Sequence, residues 1–296
     1  MRARGATVKA RPTAPLPVAS LVIGKPVEEA AELLPRLFNL CRTAQDIAAR
    51  MAFGLPLTET PKEDLTREIL RDHLLKFCVT WPGFFGGRPQ PIPQISGSDT
   101  AVVRAALFGP LGSLPEEPGD FAMFLASGSP ITQVLHEIRT DFGPGEACAA
   151  DLTAATRQNV FGAAALENSV AARQAHRPVM RHIEEEFGRG PLWRATARLY
   201  DAQDCLTGRL QDVAIVAPGR AVVPAARGLY AISAEIEDGH VKNFRRITPT
   251  DHLLAPGGVL DQSLANLPRE KADLAGLVLD ILDPCMPVSL MEVDDA

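Results

Sequence analysis

An apolar segment near the C-terminus of the 296-residue chain ends abruptly at a proline and a cysteine. Its apolar side chains recur every three or four residues, which predicts a helix: Leu274, Leu277, Val278, Ile281 and Leu282. Pro284 does not continue a helix and restricts Asp283 before it, so the helix is expected to end there. Cys285 follows at once. The segment therefore predicts a thiol at the buried end of a helix.

The composition is that of an ordinary globular protein and excludes several functional classes. Hydrophobic residues make up 46% of the chain, and the net charge of −6 gives no general attraction to nucleic acid or anionic membranes. No apolar run approaches the ~20 residues that span a bilayer, so no membrane insertion is expected. The five cysteines are odd in number and widely spaced, so they do not indicate a disulfide framework and a reducing cytoplasm is favoured: Cys41, Cys78, Cys148, Cys205 and Cys285.

The N-terminal segment is basic and contains no acidic residue. Its basic residues are Arg2, Arg4, Lys9, Arg11 and Lys25. The apolar stretch within it is interrupted by Pro15 and Pro17, and no twin-arginine pair precedes it, which argues against a targeting peptide. We interpret residues 1–25 as a flexible basic extension and residues 26–296 as a single domain.

Two helical segments in the N-terminal half carry candidate site residues. Residues 36–53 predict a helix with Cys41 on its apolar stripe; taken alone, such a thiol is more often a core residue than a ligand. Residues 60–63 have the pattern of a capping box with proline at the first helical position, and the helix that follows extends to Cys78. Within it, His73 is expected to be a partly buried histidine with a hydrogen-bond partner.

Beyond residue 98 the pattern predicts helices first and strands later. Glycine and proline turns divide residues 98–208 into several helical segments. Four short β-branched or alternating runs follow: 212–216, 221–223, 229–236 and 240–247. The last two are joined through Asp238-Gly239, a dipeptide typical of a two-residue hairpin. Composition and periodicity thus predict a mainly α fold with a small antiparallel β part (α+β).

Three segments, in the same order along the chain, resemble signatures of [NiFe]-hydrogenase large subunits. Residues 36–45 resemble Arg-x-Cys-Gly-x-Cys-x-x-x-His, with Cys41 at the second cysteine. Residues 225–250 resemble the region from Ala-Pro-Arg-Gly, through Glu-Asp-Gly-Lys-Ile-x-Asn, to Pro-Thr, with Arg227 at the arginine. Residues 283–285 resemble the start of Asp-Pro-Cys-x-x-Cys-x-x-His. The resemblance implies a large-subunit-like fold for residues 26–296.

The departures from these signatures fall on the metal ligands. In that family four thiolates hold nickel, and two of them bridge to an iron that carries carbon monoxide and cyanide. Here Phe38 and Val288 stand in place of two cysteines, and Gln45 and Met291 stand in place of the motif histidines. Because the loss of soft thiolate ligands weakens such a site, no stable catalytic nickel centre is expected. Only five residues follow Met291, so the proteolytic maturation step of the family is also expected to be absent.

The residues that remain imply a reduced site. By the resemblance, Cys41 corresponds to a bridging ligand, Cys285 to a nickel-terminal ligand, and Arg227 to the arginine beside the diatomic ligands of the iron. We therefore predict Cys41 and Cys285 as metal ligands and Arg227 as a ligand-contacting residue, with no catalytic residue. The cargo implied is an iron fragment with carbonyl and cyanide ligands, bound transiently.

An intact frame, half of the cysteines and a short tail are together similar to the accessory proteins of hydrogenase expression and formation. The resemblance implies a non-catalytic scaffold or chaperone for assembly of the iron part of the active site. The implied partners are maturation chaperones, with the hydrogenase large subunit as a further candidate. Two alternatives remain open at this point: a divergent metal-carrying hydrogenase or oxidoreductase subunit, and a metal-free decoy that binds maturation chaperones.

Overall fold

The computed structural model describes residues 7–14, 16–95 and 100–293 of the chain. The helices there are α1 (Val18–Val22), α2 (Val27–Leu33), α3 (Arg42–Phe53), α4 (Pro61–Leu75), α5 (Trp81–Phe84), α6 (Ala101–Phe108), α7 (Pro118–Leu125), α8 (Pro130–Asp141), α9 (Val170–Gln174), α10 (Pro178–Phe187), α11 (Pro191–Leu206), α12 (Pro249–Leu253), α13 (Val259–Ala265) and α14 (Ala275–Leu282). The strands there are β1 (Thr7–Pro12), β2 (Ala214–Ala217), β3 (Arg220–Ala225), β4 (Gly228–Glu237), β5 (His240–Ile247) and β6 (Val288–Val293). Helix predominates and the strand pairs are antiparallel, which confirms the predicted fold class.

Helix α11 runs through the centre of the fold. All of its residues from Pro191 to Cys205 are buried, and it packs against α4, α8, α9, α10 and α14. Its buried residues include charged ones, notably Arg194, Arg198 and Asp201. Because a buried charge is tolerated only when it is paired, the elements around α11 must supply partners for these groups. Neither α11 nor another helix in the described ranges is long and apolar enough to cross a lipid bilayer.

The larger sheet has four antiparallel strands in the order β2-β3-β4-β5. The hairpin of β4 and β5 turns at Asp238 (φ 51°) and Gly239 (φ 74°), both with the positive φ that a type I′ turn requires. This confirms the hairpin predicted from the Asp-Gly dipeptide. Helix α3 packs against β3 and β4, and this contact brings the N-terminal half of the chain to the sheet.

The smaller sheet joins the two ends of the described chain. Strand β1 pairs antiparallel with β6, so that Pro12 faces Val288 and Lys9 faces Met291. The predicted flexible extension, residues 1–25, is therefore incorrect over its described part, since residues 7–12 and 18–22 form β1 and α1. The reason is long-range: β6 supplies backbone partners that a sequence window does not reveal. Residues 1–6 and Pro15 lie outside the described residues.

Two local predictions in the N-terminal half are wrong in detail. The helix predicted over residues 36–53 begins only at Arg42, because the Glu68 carboxylate of α4 accepts hydrogen bonds from the backbone N–H groups of Thr43 (2.7 Å) and Ala44 (3.2 Å). These N–H groups belong to the first turn of α3, where a helix has no internal acceptor for them. The capping box predicted at residues 60–63 does not form: the Thr60 side chain makes no cap hydrogen bond to the backbone.

Candidate functional site

The three residues predicted for the site line one pocket. Cys41 comes from the start of α3, Arg227 from the turn between β3 and β4, and Cys285 from the segment after α14. Eight further residues complete the lining: Phe38, Leu40, Gln45, Ala225, Tyr230, Arg246, Thr248 and Pro249. The space open to the centre of a water molecule is about 20 Å³. This is enough for about one ordered water, so the pocket is narrow and well packed.

Cys41 sits at the N-terminus of α3 rather than on its apolar stripe, as a helix over residues 36–53 would have placed it. Its backbone is left-handed (φ 52°), which is uncommon for a residue other than glycine. The Sγ atom accepts a hydrogen bond from Nη1 of Arg227 at 3.3 Å. Burial raises the pKa of the Cys41 thiol to about 12, and the charge of Arg227 opposes this rise. Without a bound metal, Cys41 is therefore a neutral thiol near pH 7.

Arg227 is fixed by carboxylates on two other elements. Its Nη1 donates to Oδ2 of Asp72 on α4 at 2.9 Å, and its Nη2 donates to Oδ1 of Asp283 at 3.3 Å. The arginine is only 8% exposed, so these pairs are shielded from solvent. Arg227 therefore has a charge that is balanced locally and a guanidinium whose position is set by α4 and by the end of α14.

Gly228 and Asn168 hold the backbone beside Arg227. Gly228 has φ 142°, and a Cβ atom there would lie 2.5 Å from Oδ1 of Asn168. Asn168 accepts from the backbone N–H of Leu229 at 2.7 Å and donates to its carbonyl at 3.0 Å. Only glycine fits between the asparagine and the strand. Sequence analysis did not find Asn168, because no local pattern links it to a strand 61 residues later.

A wider network of ion pairs joins Asp283 to α11 and to the residue after α4. Asp283 also pairs with Arg198 on α11 (2.8 Å) and with Lys76 (3.0 Å). Burial disfavours its ionisation, but Arg198, Arg227 and Lys76 together keep the pKa of Asp283 well below its usual range. Arg198 was not predicted from the sequence. The signal that points to it is the spacing of Arg194, Arg198 and Asp201, which places three charged residues on one face of a helix.

His73 belongs to the same network and is fully buried. Its Nε2 lies 2.8 Å from Oδ2 of Asp201, and its Nδ1 lies 3.3 Å from Nη1 of Arg198. Because Arg198 is always a donor, Nδ1 must accept and Nε2 must carry the proton, so the imidazole is neutral. Burial lowers the pKa of His73, which agrees with this assignment. The predicted structural histidine with a hydrogen-bond partner is confirmed, and its burial is complete.

Cys285 is held by the loop and helix that follow β5. Its backbone N–H donates to Oγ1 of Thr250 at 2.8 Å, and its Sγ lies 3.9 Å from Oγ1 of Thr248. Thr248 begins α12 through a capping box with Asp251. The end of α14 and the start of α12 therefore fix the cysteine backbone together. In the sequence, residues 248–250 belong to the segment that resembles hydrogenase large subunits, and no role is predicted for them.

The residues that replace motif cysteines take part in packing and pairing. The guanidinium of Arg246 lies over the Phe38 ring, 4.1 Å from its centroid, and Val288 is the first residue of β6. Across residues 7–14, 16–95 and 100–293, no cluster of three or more histidine, cysteine or acidic residues is arranged to hold a metal ion. The pocket therefore offers two sulfur atoms, a donor set that suits a metal bringing most of its own ligands rather than a bare ion.

The chain is similar over most of its length to proteins of hydrogenase expression and formation. No protein-family model matches it. The chain is 47% identical to the hydrogenase expression/formation protein HupK of Rhodobacter capsulatus, with 98% of this chain and 94% of that protein covered. It is 26% identical to HupK of Azotobacter vinelandii (92% and 90% covered) and 25% identical to the hydrogenase expression/formation protein HupV of Azotobacter chroococcum mcd 1 (93% and 90% covered).

Solved structures of nickel-iron-selenium hydrogenases share the fold. The enzyme from Desulfovibrio vulgaris Hildenborough superposes with a TM-score of 0.57 at 13% identity, covering 94% of this chain and 95% of the other. The enzyme from Desulfomicrobium baculatum gives a TM-score of 0.55 at 12% identity, covering 94% and 96%. At these identities the likeness concerns the fold alone, and it confirms the predicted hydrogenase large-subunit-like fold.

Proposed function

Since the chain belongs to the HupK family of hydrogenase expression/formation proteins, we propose that it is a non-catalytic scaffold on which the iron part of a [NiFe]-hydrogenase active site is assembled. The observation that carries this proposal is the meeting of Cys41, Cys285 and Arg227 in one pocket. These residues come from opposite ends and the middle of the chain, and each is held by hydrogen bonds from other elements. These contacts support the proposal that the pocket is a binding site.

The donor set fits an iron that carries carbonyl and cyanide ligands. Thiolates are soft ligands suited to such an iron, and two of them suffice when the remaining positions are filled by its own ligands. Cyanide is anionic, and Arg227 supplies a buried positive charge beside Cys41. In this proposal the iron fragment is a cargo, taken up and passed on, and nickel has no role.

Uptake requires a proton to leave the Cys41 sulfur. Metal ligation needs the thiolate, and burial holds the Cys41 pKa at about 12, so binding of iron releases this proton. The Nη1 of Arg227, already 3.3 Å from Sγ, stabilises the thiolate as it forms. Arg227 thus acts on the sulfur ligand directly, in addition to the attraction of its charge for cyanide.

The proposed role requires other proteins to supply and receive the cargo. We infer that these are hydrogenase maturation chaperones, with the hydrogenase large subunit as a further candidate. The five cysteines are free thiols in the structure, and a reducing cytoplasm keeps thiols in this state. We therefore place the assembly step in the cytoplasm.

One observation favours a second candidate function, that of a metal-free decoy for maturation chaperones. The open space in the pocket is only about 20 Å³, and the Cys41 thiol is already satisfied by Arg227. In this alternative the large-subunit-like surface binds the chaperones while both thiols remain inert. The two functions make opposite predictions for protein purified from cells that produce the hydrogenase.

The test is infrared spectroscopy with iron and nickel analysis on protein purified without oxygen from such cells. Metal-bound carbonyl and cyanide bands with iron but no nickel support the scaffold. The bands should disappear in Cys41→Ser and in Cys285→Ser and persist in Cys148→Ser, a matched control in which the thiol hydrogen-bonds to carbonyls away from the pocket. Protein without metal that still co-purifies with maturation factors would support the decoy and overturn the scaffold.

A further inference from the structure

The pocket contains a buried hydroxyl without a hydrogen-bond partner. Tyr230 lies on β4, is 3% exposed and lines the pocket with both cysteines. Arg246 lies beside its hydroxyl, but among the described residues no acceptor takes the hydroxyl proton. The chain has one other tyrosine, Tyr200, and its hydroxyl donates to the carbonyl of Pro115 at 2.5 Å. Buried polar groups in folded proteins are nearly always paired, so the free hydroxyl of Tyr230 requires an explanation.

A second unpaired group lines the same pocket. Gln45 on α3 is 3% exposed, and its Nε2 donates to the carbonyl of Leu40 at 2.8 Å. Its Oε1 accepts no hydrogen bond from any residue that the structure describes. The pocket therefore presents one unpaired hydroxyl and one unpaired amide oxygen, from two different elements. The hydroxyl can donate a hydrogen bond to a bound ligand, and the amide oxygen can accept one.

The two arginines of the pocket are already engaged. Nη1 of Arg227 donates to Cys41 and Asp72, and Nη2 donates to Asp283. The Nε of Arg227 also faces a carboxylate, Oδ2 of Asp283 at 3.0 Å. The guanidinium of Arg246 lies against the ring of Phe38. A neutral phenol is protonated near pH 7 and donates readily. Tyr230 therefore adds a buried neutral donor to a pocket whose two cations already face other groups.

We propose that Tyr230 is a recognition residue for the cargo: its hydroxyl donates a hydrogen bond to an anionic diatomic ligand on the iron, of the cyanide class. The inference rests on the proposed scaffold function and deepens it. The hydrogen bond makes the pocket selective for the kind of iron that it binds. Iron without an acceptor ligand would leave the buried phenol unpaired, and this unpaired group disfavours its binding. The pocket thereby retains iron that already carries cyanide over the bare ion.

The test compares Tyr230→Phe with Tyr200→Phe in full-length protein purified without oxygen from hydrogenase-producing cells. Each variant removes one hydroxyl and keeps the ring. For Tyr230→Phe we expect the same circular dichroism as the parent, a shifted cyanide stretching band, and iron loss to a chelator that is roughly ten- to a hundredfold faster. Tyr200→Phe should leave the bands and the iron loss unchanged, since its hydroxyl bonds to Pro115.

The outcomes separate this inference from the function on which it rests. If the parent shows the bands and Tyr230→Phe shows the same bands and the same rate of iron loss, the hydroxyl is satisfied by water alone. That result overturns the role of Tyr230 and leaves the scaffold standing. If the parent itself holds no iron and shows no bands, both are overturned. A band shift in Tyr230→Phe that is absent from Tyr200→Phe supports both.

Discussion

The Nη1 atom of Arg227 lies 3.3 Å from the Sγ atom of Cys41, although 186 residues separate the two in the chain. The contact places a positive charge beside a buried thiol and partly offsets the rise in its pKa that burial causes. The same guanidinium is balanced by Asp72 and Asp283. One buried cation therefore links the sulfur at the start of α3 to the end of α14, which precedes Cys285.

Removal of this cation should destabilise the protein strongly. Arg227→Leu leaves the Asp72 and Asp283 carboxylates facing an apolar side chain, and breaking a buried pair in this way costs about 3–5 kcal/mol. Urea denaturation followed by circular dichroism measures the loss. Arg36→Ala is the control, since that arginine is 75% exposed and should change stability by less than about 0.5 kcal/mol. Equal effects of the two variants would contradict the account of Arg227.

Two glycines with positive φ should respond differently to alanine. At Gly239 (φ 74°) a Cβ meets nothing within 4 Å, so Gly239→Ala should cost only the left-handed strain of about 1–2 kcal/mol. At Gly228 a Cβ would lie 2.6 Å from the backbone oxygen of Asn168, and Gly228→Ala should cost clearly more. Thermal denaturation of the two variants side by side measures the difference. A Gly228→Ala protein as stable as Gly239→Ala would contradict the Asn168 clamp.

Helix caps provide a second matched pair. The Thr248 side chain accepts from the backbone N–H of Asp251 in a complete capping box, so Thr248→Ala should lower the free energy of unfolding by about 1 kcal/mol. Thr60 occupies the same kind of position before α4 but makes no cap hydrogen bond to the backbone. Thr60→Ala should therefore change stability by less than about 0.5 kcal/mol. Denaturant titrations of both variants test this. A loss of stability in Thr60→Ala larger than that in Thr248→Ala would show that Thr60 does cap α4.

Stability should fall as the pH decreases through the ordinary range of histidine. Burial lowers the pKa of His73, so below about pH 6.5 the unfolded chain takes up a proton that the folded chain does not. The free energy of unfolding should then fall by at most about 1.4 kcal/mol per pH unit for this residue. His252, whose pKa burial also lowers, adds to the same slope.

Urea denaturation between about pH 5 and pH 7.5 measures this slope. His73→Gln should reduce it, because glutamine keeps a donor for Asp201 but does not titrate. Asp201 itself acts in a different window. Asp201 is buried, but Arg173 and His73 keep its pKa lowered. Its contribution to the free energy of unfolding is therefore present above about pH 3.9 and is lost only at more acidic pH. An unchanged slope in His73→Gln would show that His73 is not held neutral.

Much of the fold and part of the site could be predicted from the sequence. The hairpin at Asp238-Gly239 formed as predicted, because a type I′ turn depends on the conformational freedom of two adjacent residues. The C-terminal helix ended before Pro284 for an equally local reason. The placement of Cys41 on a helical stripe was wrong, since the start of α3 is set by Glu68, which lies 25 residues beyond its partner Thr43.

The sequence by itself determined which residue types are available: two thiols and an arginine within segments of known resemblance, and turns that depend on glycine and proline. Only the tertiary structure decided what these residues contact. It gave Arg227 two carboxylate partners, left the Tyr230 hydroxyl unpaired, and joined β1 to β6. The physical reason is that backbone dihedral preferences act between neighbours, whereas ion pairs and strand pairing form between groups that only the folded chain brings together.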